Sequence, residues 1–465
     1  MRTKPVMTRY YLPAALLLTL VGFITLLMIR DQINLIIISI DTLRPDHLGC
    51  YGYHRDTSPN IDMLASEGVL FADVTSQSPW TLPSQASLFT SAYPSTHGLT
   101  REGKSLDPEF KTLAEYLKEE GYRTAAFTGG GYMHRRFGLE QGFDVYMDRY
   151  VNDEVVQSHF LDVHWSTFRS KVLDWLRDSS SEPFFLFIHC YDVHKPYDPP
   201  AHYVRPFYPA CQGELISFVE HDEVVFKEEG RSAVRVAVDS LSDDQIDHLV
   251  SHYDGEVRRV DEEVGILLKV LDELDVRDET LVIVTSDHGE QFLEHGGLGH
   301  RSTLFQEELA VPLIMRLPAA FRPGRTVKKP VSVVDIMPTV LNLMSLDGNN
   351  LTGIDLVPLL KGEQVEYPIL SEFIEGGLVA LREGKFKLIV SKDGSPKLFD
   401  LEEDQSEQVD ISEKLPEIKE RLFEEMKERV YRHEVAGSRY RIKEADEDEE
   451  GYFTEQLKAL GYIEE

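Results

Sequence analysis

The sequence predicts an α/β protein in which a wound sheet is sandwiched by helices, with a membrane helix before it and a small antiparallel sheet subdomain after it. Three observations carry this. Short apolar runs recur between residues 34 and 318 with helical patterns between them; the texture changes near residue 350 to alternating runs divided by turn residues; and residues 10–29 contain no charge. The expected organisation is an anchor over 1–33, a catalytic α/β domain over 34–346, a C-terminal α+β subdomain over 347–435, and an acidic tail with a short terminal helix over 436–465.

The apolar run "YYLPAALLLTLVGFITLLMI" is long enough, at a helical rise of ~1.5 Å per residue, to cross a hydrocarbon layer of ~30 Å. It exceeds a usual signal-peptide core and no small-x-small site precedes Arg30, so an uncleaved signal anchor is expected, with secretion after cleavage as the alternative. Arg2, Lys4 and Arg9 lie on the amino-terminal flank, whereas Arg30 and Asp31 cancel on the other. That asymmetry directs the body of the chain out of the cytoplasm, to the periplasm or the cell exterior.

"NLIIISID" (34–41) is a continuous Ile-rich run, as in a strand buried on both faces of a parallel sheet. "RTAAFTGG" (123–130), "PFFLFIHCYDVH" (183–194), "TLVIVTSDHG" (280–289) and "VPLIMRLP" (311–318) repeat the signal. "TLAEYLKEEGY" (112–122) reads as a helix between two of them, and residues 243–273 carry apolar side chains at three- and four-residue steps, the stripe of one long amphipathic helix. Residues 376–404 predict the small antiparallel sheet, 415–430 a charged helix and 443–450 ("KEADEDEE") a solvated linker.

Composition narrows the partners. Eighty acidic against 48 basic residues give a formal charge of −32, which argues against nucleic acid, since phosphate backbones are held mainly by Lys and Arg. Cys50, Cys190 and Cys211 form no CxxC or Cys/His cluster and read as buried thiols. Asn350 opens an N-x-Thr sequence of the glycosylation type.

Ligands of open parallel sheets bind beyond the carboxyl ends of the strands. Asp41 ends the first strand, Asp287 and His288 end another, and His189, Asp192 and His194 follow a third. Each has an ordinary structural explanation, as a cap, a turn or a surface loop. Two carboxylates and an imidazole at one sheet edge nevertheless compose a divalent metal site. In "SPWTLPSQASLFTS" (78–91), Pro79 and Pro83 restrict the backbone around Thr81, and a helix is expected to begin near Ser84, its N-terminus favouring an anion.

These stretches together resemble a sulfatase-type member of the alkaline phosphatase superfamily. The resemblance runs from "NLIIISIDTLRPDHLGCYGYHRDTSPNIDMLASEGVLFADVTSQSPWTLPSQASLFTSAYPSTHG" through "TLAEYLKEEGYRTAAF", "PFFLFIHCYDVHKPYDPP", "YDGEVRRVDEEVG", "VTSDHGE" and "SVVDIMPTVLNL" to "KLFDLEED". It implies an alkaline-phosphatase-like fold, with Asp41, Asp287 and His288 as metal ligands and Thr81 as both nucleophile and ligand. It also implies His194 and His300 as the groups on the substrate anion. Arg44 would neutralise leaving or non-bridging oxygens, and a second metal cradle of Asp192, His194 and His300 is a weaker implication.

Several positions depart from the family. Formylglycine sulfatases have Cys or Ser, then x-Pro-Ser-Arg, where this chain has Thr81-Leu82-Pro83-Ser84-Gln85. A threonine cannot become that aldehyde, because its hydroxyl carbon bears a methyl group, so no formylglycine is expected. The family's Gly-Lys-Trp-His stretch is replaced by "GGGYMHRRFG" (129–138), with Arg135 and Arg136 as candidate substitutes; the second Asp of the usual pair is Thr42, and an asparagine ligand is His288. Fewer carboxylates and one imidazole favour Mn²⁺ or Zn²⁺ over Ca²⁺ or Mg²⁺.

A threonine with Asp, Asp and His resembles the phosphoryl-transfer branches of the superfamily. The expected activity is hydrolysis of phosphate or phosphonate mono- or diesters, through attack by Thr81 and a phospho-threonine intermediate, on a small or lipid-linked ester. A membrane-anchored head-group transferase, a sulfatase and a non-catalytic binding protein are the alternatives. Specificity is expected in the loops 131–165 and 197–240.

Overall fold

A computed structural model describes residues 32–148, 164–209, 215–220, 223–228, 234–348, 350–441 and 443–445. The apolar run 10–29, Cys211 and the terminal helix lie outside them. Among the described residues no helix is long and apolar enough to cross a membrane. From Asn34 onward the chain forms one compact unit.

The centre is an eight-stranded sheet. Its strands are β1 (Asn34–Ile40), β2 (Val69–Phe71), β3 (Arg123–Thr128), β4 (Val145–Met147), β5 (Phe184–Cys190), β6 (Thr280–Thr285), β7 (Leu313–Arg316) and β8 (Arg325–Val327), in the spatial order β8-β2-β7-β6-β1-β5-β3-β4. β1 is central and every residue of it is buried, as its unbroken apolar run requires. It pairs in parallel with β6 and β5, so Asp41, the residues after Cys190 and those after Thr285 emerge at one edge.

Helices cover both faces. Ile36, Ile38 and Ile40 pack with Leu64 of α1 (Pro59–Glu67), Phe168 and Val172 of α4 (Trp165–Ser179) and Val257, Val260 and Val264 of α5 (Asp243–Glu273). On the other face, Ser39 Oγ accepts from Gln85 Nε2 of α2 (Thr81–Thr90) at 2.8 Å, and Phe89 of α2 meets Phe187 edge-on at 4.7 Å. α3 (Leu113–Glu119) is opened by a Thr112–Glu115 capping box and α5 by Ser242–Gln245.

The C-terminal sheet has four antiparallel strands, β9 (Ile369–Phe373), β10 (Leu378–Glu383), β11 (Phe386–Val390) and β12 (Pro396–Asp400), backed by α6 (Pro416–Gly437). Leu381, Leu388 and Leu398 pack there with Leu422 and Met426 of α6. β9 also braces the segment before Thr81: Glu372 N donates to Gln77 O at 2.8 Å and Ser78 Oγ to Glu372 O at 3.0 Å.

Several expectations are corrected. The central sheet is mixed, because β7, the "VPLIMRLP" run, lies antiparallel to both β6 and β2. α2 begins at Thr81 and not near Ser84: Trp80 is extended (φ −161), and Pro83 occupies the first turn, where its missing N–H needs no partner. α6 continues past residue 430 to Gly437. Within 197–240, Leu215–Glu220, Glu223–Glu228 and Val234–Ala237 form an antiparallel sheet and not open loop. Lys443–Glu444, at the start of the expected linker, pairs with Lys104–Ser105. Cys190 is buried as expected, whereas Cys50 is only half-buried.

Candidate active site

The carboxyl ends of β1 and β6 bring Asp41, Asp287 and His288 together, with one ligand atom from each within 4.8 Å of the others. His288 Nε2 lies 3.4 Å from Asp41 Oδ1 and 3.8 Å from Asp287 Oδ2. The first turn of α2 delivers Thr81 into the same cluster: its hydroxyl donates to Asp41 Oδ2 at 3.3 Å and stands 3.4 Å from His288 Nε2. All four side chains are buried.

The local backbone explains the convergence. Thr42 takes φ +57 after Asp41, a turn held by Tyr253, whose hydroxyl donates to Thr42 O at 2.8 Å and accepts from Arg44 N at 2.9 Å. Ser286 Oγ accepts from Leu43 N at 3.1 Å and donates to His288 O at 2.8 Å, which ties the two strand ends. Ser76 Oγ donates to Asp287 O, and Ser84 Oγ to Ser78 O at 2.8 Å, so the approach to Thr81 is bonded to the ligand strand. Gly289 fits because a Cβ there would stand 2.1 Å from Glu307 O.

The donor set fits a cation. Asp41 Oδ1 and Asp287 Oδ2 are buried without a hydrogen-bond partner, which is costly unless a positive charge completes them. His288 Nδ1 is 2.9 Å from Gly289 O; a carbonyl only accepts, so Nδ1 carries the proton and Nε2 presents a lone pair to both carboxylates. Burial, reinforced by Asp287 and Glu290, pushes Asp41 well above the usual carboxylate range, while His288 and His189 overcome burial and hold Asp287 below it.

His194 and His300 line the neighbouring space. The His300 ring is 4.5 Å from His288 and 4.9 Å from His194. His194 Nδ1 donates to Lys195 O, and His300 Nδ1 lies 2.9 Å from Glu290 Oε1. Burial, followed by the nearby imidazole and Lys195, keeps both rings well below the ordinary histidine value, so both are neutral near pH 7. Burial pushes Glu290 up to about 7 against the pull of Lys195.

Arg44 follows β1 by four residues. Four of its five N–H groups are engaged, by the Asp46 carboxylate at 3.0 and 2.7 Å, Glu290 O at 2.8 Å and Glu294 at 2.5 Å. The guanidinium fastens the strand-end loops through these bonds. Arg135 is likewise committed to Asp148 and Tyr146 O, while the Arg136 guanidinium lies 5.7 Å over Phe137. The Asp192–His194–His300 cradle does not assemble among the described residues, because the Asp192 carboxylate accepts from Trp165 N at 2.8 Å and groups with His164 and Glu256.

Sequence reasoning assigned no role to three neighbours of the site. His189, at the end of β5, has Nε2 3.6 Å from Asp287 Oδ2 and 3.8 Å from Asp41 Oδ2. Lys195 Nζ and Glu290 Oε1 stand 3.5 and 3.6 Å from the Cβ position of Gly299, a residue at φ +94. Adjacency to His194 in "HKP" and to Asp287–His288 in "DHGE" was the available signal.

Known proteins share this framework. The sulfatase family profile matches residues 33–346, and that of the N-sulphoglucosamine sulphohydrolase C-terminal region matches 294–435. An uncharacterized sulfatase of Escherichia coli is 25% identical, over 80% of this chain and 82% of its own. Human arylsulfatase K is 25% identical, over 77% and 75%. The phosphonate monoester hydrolase of Agrobacterium radiobacter superposes with a TM-score of 0.69 at 22% identity, covering 86% of this chain and 96% of that one. A divalent metal ion is the cofactor that such proteins use, and the Asp41–Asp287–His288 donor set suits one. With the family profile covering two thirds of its length and the family's fold around the cluster, the chain belongs to the sulfatase family of ester hydrolases, in an alkaline-phosphatase-like α/β fold.

Proposed function

We propose that this chain hydrolyses phosphate or phosphonate mono- or diesters, with Thr81 as the nucleophile. The observation that carries the reading is the Thr81 hydroxyl itself, which sits within 3.4 Å of Asp41 and His288 at the position where formylglycine enzymes of the family have Cys or Ser. An alcohol of this kind adds to phosphorus and is later displaced by water. The aldehyde hydrate used for sulfate has no precursor in this side chain.

Asp41, Asp287 and His288 would hold a divalent ion, which would supply Lewis acidity to the Thr81 hydroxyl and the ester, an effect of several kcal/mol. Two carboxylates and an imidazole favour Zn²⁺ or Mn²⁺ there. Asp41 accepts the hydroxyl proton as Thr81 Oγ1 bonds to phosphorus and the bond to the leaving oxygen breaks, its electron pair departing with that oxygen. His194 and His300, neutral in the free enzyme, take up a proton as the anionic ester enters; the ring nearer the leaving oxygen then protonates it, worth roughly 10²–10⁴-fold. Water attacks the phosphorus in a second displacement, giving its proton to the histidine that protonated the leaving oxygen; the Thr81–phosphorus bond breaks and Asp41 returns its proton to Thr81 Oγ1. Lys195 supplies the fixed positive charge of the pocket.

The names of relatives such as arylsulfatase K favour a second reading, sulfate ester hydrolysis. A panel of nitrophenyl phosphate, phosphodiester, phenylphosphonate and sulfate, run with added Zn²⁺ or Mn²⁺, separates the two. Turnover of a phosphorus ester well above that of the sulfate is expected; turnover of the sulfate alone contradicts the proposal. The run 10–29 leads us to propose further that the catalytic unit is tethered outside the cytoplasm. Labelled phospholipid tests the transferase alternative, by whether the head group passes to water or to an acceptor.

A further inference from the structure

A second cluster of ligating side chains lies apart from Thr81. His164 stands at the N-cap of α4, Asp192 two residues beyond the end of β5, and Glu256 midway along α5 on its buried side. One ligand atom from each lies within 4.8 Å of the others, and His164 Nδ1 is 3.7 Å from Asp192 Oδ1. Asp192 and Glu256 are fully buried.

The carboxylates are incompletely satisfied. Asp192 Oδ2 takes the Trp165 N–H at 2.8 Å, but Asp192 Oδ1 and both oxygens of Glu256 are buried with no hydrogen-bond partner. Arg259 makes long ion pairs with them, its Nε 4.0 Å from Asp192 Oδ1 and its Nη1 3.6 Å from Glu256 Oε2, while its Nη2 donates to Ser166 Oγ at 3.1 Å. Three buried oxygens of two carboxylates thus have no hydrogen bond, and only the long contacts of Arg259 and His164 oppose their charge, an arrangement that a bound cation would complete.

We propose that His164, Asp192 and Glu256 form a second divalent-metal site, suited to Zn²⁺ or Mn²⁺, that ties α4, the segment after β5 and α5 together. One imidazole and two carboxylates are donors that these ions accept, leaving a coordination position for water. Asp198 Oδ1, 3.8 Å from His164 Nε2, is placed to orient the ring so that Nδ1 faces the carboxylates. Because Asp192 is two residues from His194, the ion would fix the backbone that carries that histidine. The inference stands on its own residues and does not depend on the Thr81 chemistry.

Metal content decides it. The untagged full-length chain is freed of metal, loaded with Zn²⁺ alone or Mn²⁺ alone, desalted and assayed by mass spectrometry of the elements. Two equivalents are expected for the wild type, one each for Glu256→Gln and Asp287→Asn, and none for the double variant. Far-UV circular dichroism identifies a variant that does not fold. Should Glu256→Gln be one, His164→Ala, at the half-exposed rim, is combined with Asp287→Asn and titrated calorimetrically, with loss of the remaining equivalent expected. The proposal is overturned if folded Asp287→Asn protein binds no metal, or if its equivalent survives both Glu256→Gln and His164→Ala.

Discussion

Thr81→Ala is expected to lower kcat on a phosphorus ester by at least ~10³-fold, with the thermal midpoint little changed. The substitution removes the hydroxyl proposed to attack phosphorus while keeping a good helix former in the first turn of α2. The bracing of that turn, from Ser84 to Ser78 and from Ser78 to Glu372, does not involve the Thr81 side chain. Thr81→Ser keeps the hydroxyl and loses only a buried methyl, so it is expected to retain most of the activity. Equal turnover by wild type and Thr81→Ala would remove Thr81 from the mechanism.

Asp287→Asn is expected to cost one bound metal equivalent and, in parallel, kcat by ~10³-fold or more. The amide removes the charge opposite Asp41 and His288 while conserving shape, so the defect should appear in metal content before it appears in folding. Chelation of the wild-type protein should reproduce the loss, and added Zn²⁺ or Mn²⁺ should reverse it. Affinity for the ion should fall with pH, because Asp41 is held above the usual carboxylate range in the metal-free protein and a proton then competes with the ion. A carboxyl with a raised folded value gives stability that is complete below its unfolded value, about pH 4, and lost as pH rises through the folded one. Metal loading removes that loss. The rise in thermal midpoint on adding Zn²⁺ is therefore expected to be larger at pH 8 than at pH 5.5, measured by scanning calorimetry; a rise independent of pH would contradict the Asp41 assignment.

The parts legible in the sequence share a physical reason. β1 and β6 are buried on both faces, so their Ile- and Val-rich runs are unbroken, and the residues ending them had to meet at one sheet edge. That is why Asp41, Asp287 and His288 could be grouped before any coordinates. The stripe over 243–273 marked α5 because apolar residues recur at three- and four-residue steps along its buried side, although Asp254, Glu256 and Asp261 are buried there too. β2, β4 and β8 are three residues each, too short for periodicity to register. The antiparallel sense of β7 left no trace, since a strand buried between two neighbours has the same composition whichever way it runs.

The site shows the same division. Position along the chain revealed which residues reach the edge, but not where long side chains turn. Arg44, four residues from the first strand, pairs with Asp46 and Glu294. Asp192 turns to His164 and Glu256, partners remote in sequence. Glu256 lies in the family-like stretch "YDGEVRRVDEEVG" but was given no role: within an amphipathic helix a charged residue reads as solvent-facing, and only its burial sets it apart.

The central claim, that Thr81 bonds covalently to the transferred group, is tested most directly by acid-quenching the metal-loaded enzyme during turnover of a slow phosphorus ester and mapping its peptides by mass spectrometry. The expected result is one phosphoryl or phosphonyl increment on the peptide that contains Thr81, absent from Thr81→Ala and discharged when the substrate is exhausted. Steady turnover with that peptide unmodified at every quench time, or the increment on another residue, would contradict it.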